Sequence, residues 1–261
     1  MNDRVLDNII DAAREAGKIV RGAQEIDDAV KSKEGHANYV TKYDSQVQAF
    51  LFEKMKEIVP DANFLGEENG SDIFKEEYRK GYCFIIDPID GTTNFINQYW
   101  PSVISIALLK DGKPYMAVIY NPYFDELYYA KAGSGAFCNG RQINSSEKPL
   151  SESLVAFGTC PYSEELHKKS FDTAMYYLKQ CADVRRTGSA AWDLCCVASG
   201  KVALFFEYSL GVWDYAAGLL LVQEAGGKVT DTDGNELHFD KRTSVIAVGK
   251  VLVGTDYLPK I

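Results

Sequence analysis

The sequence predicts a mixed α+β and α/β protein built as two layered halves, and three observations carry that prediction. An amphipathic helical pattern opens the chain. A block of antiparallel strand patterns, broken by an Asp111-Gly112 turn, fills 103–130. From 154 onward strand and helix patterns alternate. The halves, 1–145 and 146–261, meet around 140–150. No repeat, low-complexity stretch or Pro/Ser linker separates them, so they are expected to pack tightly.

Each element follows from its residues. Leu6, Ile9, Ile10, Ala13, Ala16 and Val20 recur at helical spacing, with Asp7, Asp11 and Glu15 between them. Residues 23–43 are polar and read either as a mobile loop or as a short hairpin. Asp44 reads as a helix N-cap before Val47, Phe50, Leu51, Met55 and Ile58, and Pro60 ends that helix. A short strand at 63–65 runs into Gly66-Glu67-Glu68, and 82–86 is a continuous apolar run expected to be a buried strand. Strands follow at 103–109, 115–120 and 126–130; Asp-Gly between two of them is a strong hairpin signal. Gly133-Ser134-Gly135 punctuates the block, which ends near Gly140. Beyond it come a strand at 154–158, helices at 163–180 and 188–199, a strand at 203–207, a helix at 213–225, and strands near 229 and at 245–249.

Composition excludes several functions. With 261 residues, 46% of them apolar, the chain is long enough for a real core, and disorder is not expected. A net charge of −9 argues against a nucleic-acid binder, because phosphate contacts need clustered Lys and Arg. The longest apolar run, 216–222, is far short of the ~20 residues that span a bilayer. An acidic N-terminal helix without a continuous apolar core is neither a transit peptide nor a secretion signal, so a cytoplasmic protein is expected. Six cysteines without a C-x-x-C pair, and three scattered histidines, argue against zinc and for reduced, buried thiols.

The densest chemical signal is Phe84-Ile85-Ile86-Asp87-Pro88-Ile89-Asp90-Gly91-Thr92-Thr93-Asn94. A buried strand delivers two carboxylates into a turn that opens a helix. Pro88 holds Asp87 extended, and Gly91 permits close approach of a ligand to backbone N–H groups. Facing carboxylates repel unless a hard cation such as Mg²⁺ sits between them. Glu67-Glu68 and Trp213-Asp214 place further acids at strand-to-helix junctions. Taken singly, each has an ordinary reading as a cap or a solvated charge. Brought together, Glu67, Asp87, Asp90 and Asp214 would form a two-metal centre for phosphoryl transfer.

Gly66-Glu67-Glu68, Asp87-Pro88-Ile89-Asp90-Gly91-Thr92 and Trp213-Asp214-Tyr215-Ala216-Ala217-Gly218 resemble, in order and spacing, the motifs of the inositol monophosphatase family. Val40-Thr41-x-x-Asp44, Gly133-x-Gly135-Ala136-Phe137-x-Asn139-Gly140, Arg186-x-Gly188-Ser189-Ala190-Ala191 and Glu224-Ala225-Gly226-Gly227 extend the resemblance over nearly the whole chain. It implies a layered αβαβα sandwich of the sugar-phosphatase type. It also implies two or three Mg²⁺ per active site, sensitivity to lithium and a homodimer. One metal would be held by Glu67, Asp87 and the Ile89 carbonyl, the other by Asp87, Asp90 and Asp214. Thr92 and Glu67, with Asp44 behind them, would orient the metal-activated water for in-line attack at phosphorus. Gly91 and Thr92 would cradle the phosphate, and Asp90, Ser189, Ala190 and Glu207 would meet substrate hydroxyls. Arg186 either contacts a second phosphate or a neighbouring subunit, or is simply exposed.

The resemblance implies a small phosphorylated metabolite as substrate: inositol monophosphate or a similar sugar or polyol phosphate. Fructose 1,6-bisphosphate, the 2′-phosphate of NADP and 3′-phosphoadenosine 5′-phosphate are the alternatives. Asn97 (often His in relatives), Ala203-Leu204 (often Asp-Gly) and Trp192 (often aliphatic) depart from the pattern, as does the segment 159–169. Asp231-Thr232-Asp233-Gly234 lacks the remaining ligands of a calcium loop and reads as a hairpin turn. A haloacid-dehalogenase-type phosphatase would need two Asp separated by one residue, whereas two separate them here. A metabolite sensor or transcription-machinery partner on this fold would be expected to have lost part of the acidic set.

Overall fold

In a computed structural model, residues 4–26, 30–32, 39–69, 75–239 and 241–259 are described. Helix α1 (Arg4–Arg21) and the antiparallel pair β1 (Val30–Ser32) and β2 (Tyr39–Thr41) precede α2 (Lys42–Ile58). The polar segment therefore contains a hairpin; 27–29 and 33–38, which were read with it, lie outside the described residues. Thr41, not Asp44, is the N-cap of α2. Its Oγ accepts the Tyr43 N–H at 3.1 Å, and Asp44, third in the helix, accepts back from Thr41 N–H and Oγ at 2.8 and 2.6 Å. This reciprocal arrangement is a capping box, and it starts the helix three residues earlier than Asp44 as a cap would.

A seven-stranded sheet follows, built from β3 (Asn63–Gly66), β4 (Tyr82–Asp90), β5 (Val103–Lys110), β6 (Lys113–Asn121), β7 (Glu126–Lys131), β8 (Ala136–Cys138) and β9 (Arg141–Ile143), in that spatial order. Only β3 and β4 run parallel; every other pair is antiparallel. The short helix α3 (Thr92–Ile96) leaves the end of β4. The second half contributes β10 (Leu154–Phe157), α4 (Glu164–Leu178), β11 (Asp183–Arg185), α5 (Ala190–Ala198), β12 (Leu204–Leu210), α6 (Val212–Glu224), β13 (Lys228–Thr230) and β14 (Thr243–Val248). Its five-stranded sheet has the order β11-β10-β12-β14-β13.

The side-chain period of two sorts these strands between layers. Phe84 and Ile86 of β4, Ile104, Ile106 and Leu108 of β5, and Met116 and Val118 of β6 pack with Ile9, Ala13, Val47 and Leu51 of α1 and α2. The intervening Cys83, Ile85, Ala107, Leu109, Ala117 and Ile119 share a second core with α5, α6, Phe205, Val245 and Ala247. On the far face of the smaller sheet, Phe206, Ile246 and Val248 pack with Ala174 and Tyr177 of α4. The order is thus helix, sheet, helix, sheet, helix, the αβαβα sandwich the resemblance implies. Every residue of α5 is buried, and α6 buries Val212, Trp213 and the unbroken run Tyr215–Val222, because both helices lie between two sheets and have no solvent face. Fully burying one such Leu or Val contributes about 1.5–3 kcal/mol.

No helix among the described residues is long and apolar enough to cross a membrane. All six thiols are free; Cys83, Cys160, Cys195 and Cys196 are buried, whereas Cys138 and Cys181 are only half-buried. Asp231 nucleates the loop between β13 and β14 by accepting the N–H groups of Asp233 and Asn235 at 2.9 and 2.8 Å. That is a turn, as read from the sequence.

Candidate active site

Strand register brings the acids together. In the parallel pairing of β3 and β4, Gly66 lies opposite Ile86, so Glu67 and Asp87 leave the same edge of the sheet. Asp87 and Asp90 are three residues apart, a spacing that puts side chains on opposite faces of a regular strand. The partner strand advances only from Ser105 to Val103 over the same interval, so β4 carries a one-residue bulge there. Pro88, which has no N–H to give to the ladder, stands in the bulge. The extra residue re-phases the strand and turns both carboxylates to one side. Asp87 Oδ1 fixes the bend by accepting the Ile89 N–H at 3.0 Å.

Gly91 then turns the chain with φ = 90°, and a Cβ there would press on Ser189 Cβ at 3.2 Å and on the carbonyls of Gly188 and Pro101 at 3.3 Å. Both backbone angle and space require glycine. Beside it, buried Asn94 donates to the carbonyls of Pro101 and Thr187 at 2.6 and 2.9 Å, which ties the 186–190 segment to α3.

The second half supplies its acid from the start of α6. Ser105, opposite Asp87 in the ladder, donates to the Trp213 carbonyl at 3.4 Å, and Asp214 Oδ2 accepts the Gly211 N–H at 2.7 Å. Carboxylate oxygens of Asp87, Asp90 and Asp214 consequently lie within 4.8 Å of one another, all three buried. Glu67 lines the same cavity and raises the pKa of Asp87 and Asp90 through its charge. The four acids read from the sequence converge.

The electrostatics follow from that crowding. Burial, then the charges of Glu67, Asp90, Asp214 and Asp44, push Asp87 well above the usual carboxylate range. Burial lifts Asp90 to about 7 against hydrogen bonds from Ser189 and Ala191 that pull it down. Burial and the Asp90 charge lift Asp214 to about 7, opposed by Arg242 and the Gly211 N–H. Glu207 also rises to about 7, by burial and then the charge of Asp214. Buried oxygen donors that repel one another are a set that could hold a hard cation, which would relieve both costs at once.

The remaining predicted residues surround a cavity of about 690 Å³ lined by Ile89, Gly91, Thr92, Arg186, Ser189, Ala190 and Glu207 along with the acids. Asp44 lies behind the wall, fully buried, its pKa raised by that burial. Its Oδ1 is 3.3 Å from Thr92 Oγ1, which also lies 3.2 Å from the Ile89 carbonyl. Glu207 on β12 accepts the Cys160 N–H at 3.3 Å and the thiol at 3.7 Å.

Among the lining residues that sequence reasoning did not assign to the site are Asp193, Tyr162 and Arg242. Asp193 sits in the buried helix α5 with Oδ1 lacking a hydrogen-bond partner, and burial drives its pKa well up. Tyr162 and Arg242 come from loops of the second half. An acid inside the run Ala190-Ala191-Trp192-Asp193-Leu194-Cys195 was the available signal for the first; Tyr162 falls in the segment 159–169 that departs from the family pattern, and Arg242 had no signal.

The model of the inositol monophosphatase family matches residues 1–257. The chain is 35% identical to an inositol-1-monophosphatase of Rhizobium meliloti over 258 residues, covering 98% of this chain and 93% of that protein. It is 38% identical over 233 residues to a protein of Escherichia coli K12 called Nus factor SuhB, covering 88% and 86% of the two. Among solved structures, the extragenic suppressor protein suhB of Bartonella henselae superposes with a TM-score of 0.85 at 36% identity, covering 95% of each chain. An IMPase of Thermotoga maritima gives 0.84 at 32% identity, covering 97% of this chain and 94% of that one.

Proposed function

The chain belongs to the inositol monophosphatase family, and from that premise we propose that it is a Mg²⁺-dependent phosphomonoesterase acting on inositol monophosphate or a similar small sugar or polyol phosphate. The convergence of Asp87, Asp90 and Asp214 within 4.8 Å carries the reading. Glu67, Asp87 and the Ile89 carbonyl would hold one cation; Asp87, Asp90 and Asp214 would hold another. Bound there, Mg²⁺ supplies Lewis-acid neutralisation of the phosphoryl oxygens and makes water more acidic.

The chain's own groups do the positioning. Thr92 has two acceptors for its single proton, Asp44 Oδ1 and the Ile89 carbonyl, so its oxygen keeps a lone pair for the nucleophilic water. Glu67 accepts the second proton of that water. Gly91 and Thr92 N–H groups cradle the phosphate, Ser189, Ala190 and Glu207 receive the hydroxyls of the alcohol, and Arg186 contacts the substrate rim. A homodimer, lithium inhibition and a cytoplasmic setting belong to the same reading, as does the division into halves at 145/146, with Asp214 and most hydroxyl contacts supplied by the second.

Phosphate release with Mg²⁺ from inositol 1-phosphate, fructose 1,6-bisphosphate, NADP and 3′-phosphoadenosine 5′-phosphate tests this. Metal-dependent release, strongest with a sugar or polyol ester, supports it; no release from any of the four at saturating Mg²⁺ overturns it. The relatives called Nus factors favour a second reading, a non-catalytic regulatory role. An Asp87→Asn chain that keeps its biological role while losing hydrolysis would support that alternative.

A further inference from the structure

Helix α2 reaches the cavity wall at two points on one face. Its buried residues are Asp44, Val47, Gln48, Leu51 and Met55. Asp44 and Gln48 are four residues apart, so they stand on the same side of the helix, about 6 Å from each other along its axis. Asp44 Oδ1 lies 3.3 Å from Thr92 Oγ1. One turn further on, Gln48 Oε1 accepts the Glu68 N–H at 3.0 Å. An amide buried on an otherwise apolar face costs free energy, and that bond offsets part of the cost.

The N–H that Gln48 takes belongs to the peptide joining Glu67 to Glu68. A peptide is planar, so holding its N–H fixes the rotation about the Cα–C bond of Glu67. The segment needs such a hold. The last ladder pair of β3 and β4 is Gly66 with Ile86, and Glu67–Asn69 beyond it is a single 3₁₀ turn. The approach is also close. A Cβ on Gly66 would overlap Gln48 Oε1 and stand 2.6 Å from Gln48 Cδ and 2.9 Å from Phe52 Cζ, so only glycine leaves room for the amide to reach the peptide.

An amide rather than an acid suits the place. Asp44 lies one turn away on the same helix, and the charge of Glu68 already bears on it. Glutamine offers the same acceptor oxygen without adding another buried charge.

We propose that Gln48 is a positioning residue for Glu67: by holding the Glu67–Glu68 peptide from the helix whose Asp44 meets Thr92, it fixes Glu67 and Thr92 relative to each other. The assignment rests on the phosphomonoesterase reading, in which those two residues orient the attacking water, and it identifies α2 as the part that sets their spacing.

Three variants test it. Gln48→Met keeps length and bulk but removes the acceptor, Gln48→Glu keeps the acceptor, and Gly66→Ala reaches the same bond from the other side by displacing the amide. With inositol 1-phosphate at saturating Mg²⁺, Gln48→Met is expected to lower kcat about tenfold with KM within about twofold of wild type. A calorimetric Mg²⁺ titration without substrate should show an affinity about tenfold weaker. Gln48→Glu should restore both to within about threefold. Gly66→Ala should match Gln48→Met, and combining the two should add little, because they break one bond. Should Gln48→Met fail to fold, Gly66→Ala carries the same comparison.

A kcat and a Mg²⁺ affinity both within twofold of wild type in Gln48→Met overturn the proposal, whatever the melting temperature does, because a purely structural amide would affect stability alone. A Gln48→Glu chain as impaired as Gln48→Met also overturns it. If the wild type releases no phosphate, the hydrolase reading fails separately and the Mg²⁺ titration decides. A tenfold loss of affinity in Gln48→Met that Gln48→Glu does not share upholds the proposal, and equal affinities reject it.

Discussion

Asp90 and Ser189, ninety-nine residues apart, are joined by a 2.6 Å hydrogen bond in which the serine hydroxyl donates to Asp90 Oδ2. The same oxygen accepts the Ala191 N–H at 2.7 Å, and Ser189 Oγ in turn accepts the Trp192 N–H at 3.3 Å as the N-cap of α5. One carboxylate oxygen of the acidic cluster is therefore spent on anchoring a helix from the other half of the chain, and the other is left for the cavity.

Replacing Ser189 with Ala should loosen both ends of this link. A hydrogen bond to a charged group is worth about 1.5–3 kcal/mol, and an N-cap about 1 kcal/mol. We expect metal-saturated stability to fall by about 2 kcal/mol and Mg²⁺ affinity to weaken about tenfold. Urea unfolding and a Mg²⁺ titration of phosphate release check the two effects; an unchanged Mg²⁺ requirement would break the connection drawn between the cap and the cluster.

Asp87→Asn and Asp214→Asn separate catalysis from folding. Each removes one charge from a buried group of repelling carboxylates, so the metal-free protein should melt at the same temperature or higher. Each should also lower kcat by ~10³-fold or more, about 4 kcal/mol of transition-state stabilisation. Steady-state kinetics at saturating Mg²⁺, alongside calorimetric melting without metal, reads both. Near-normal turnover in either variant would contradict the role given to these side chains.

How far the sequence foretold this depends on the scale of the signal. Strands β8, β9 and β11 are three residues each, too short for a period to show. The bulge that turns Asp87 and Asp90 to one face is a property of pairing with β5, so the sequence could name both carboxylates but not the bulge that makes them face each other. Other features were legible as motifs without their reason. Gly133-x-Gly135 and Glu224 are separate in sequence, yet the Glu224 carboxylate accepts the Gly133 and Gly135 N–H groups at 2.7 Å each. They form one link between the end of α6 and the turn after β7. Composition and spacing report what lies within a few residues, and Tyr162 with Arg242 meets only through tertiary folding.

The pH dependence of the metal-free protein follows from Asp90 and Asp214. Their ordinary pKa is 3.8, and the fold lifts both to about 7. Between those values the native state binds more protons than the unfolded chain, so stability falls as pH rises from about 4 through 7 and then levels off. Mg²⁺ must displace those protons, so its affinity should weaken as pH drops below 7. Melting temperatures at pH 5.5 and 8 should therefore rank the metal-free protein as more stable at 5.5, and saturating Mg²⁺ should reverse or erase that order. A metal-free melting temperature that climbs steadily from 5.5 to 8 would contradict the assignment of these shifts.

Gly158 offers a test that touches no acid. It ends the strand beside Glu207, its N–H donating to the Phe206 carbonyl at 2.9 Å, and a Cβ placed there would overlap the Glu207 carboxylate itself. Glu207 cannot retreat without giving up the Cys160 N–H, and it is too buried to reach water by a simple rotation. Gly158→Ala should therefore swing Glu207 out of its position, raise KM for a polyol phosphate about tenfold or more, and affect p-nitrophenyl phosphate, which has no hydroxyls to place, much less. Glu207→Gln keeps the shape and removes the charge, so it should show the same substrate bias with a smaller loss of stability. If Gly158→Ala slows both esters equally, the glycine shapes the cluster rather than the hydroxyl contact, and Glu207 loses its role in choosing the alcohol.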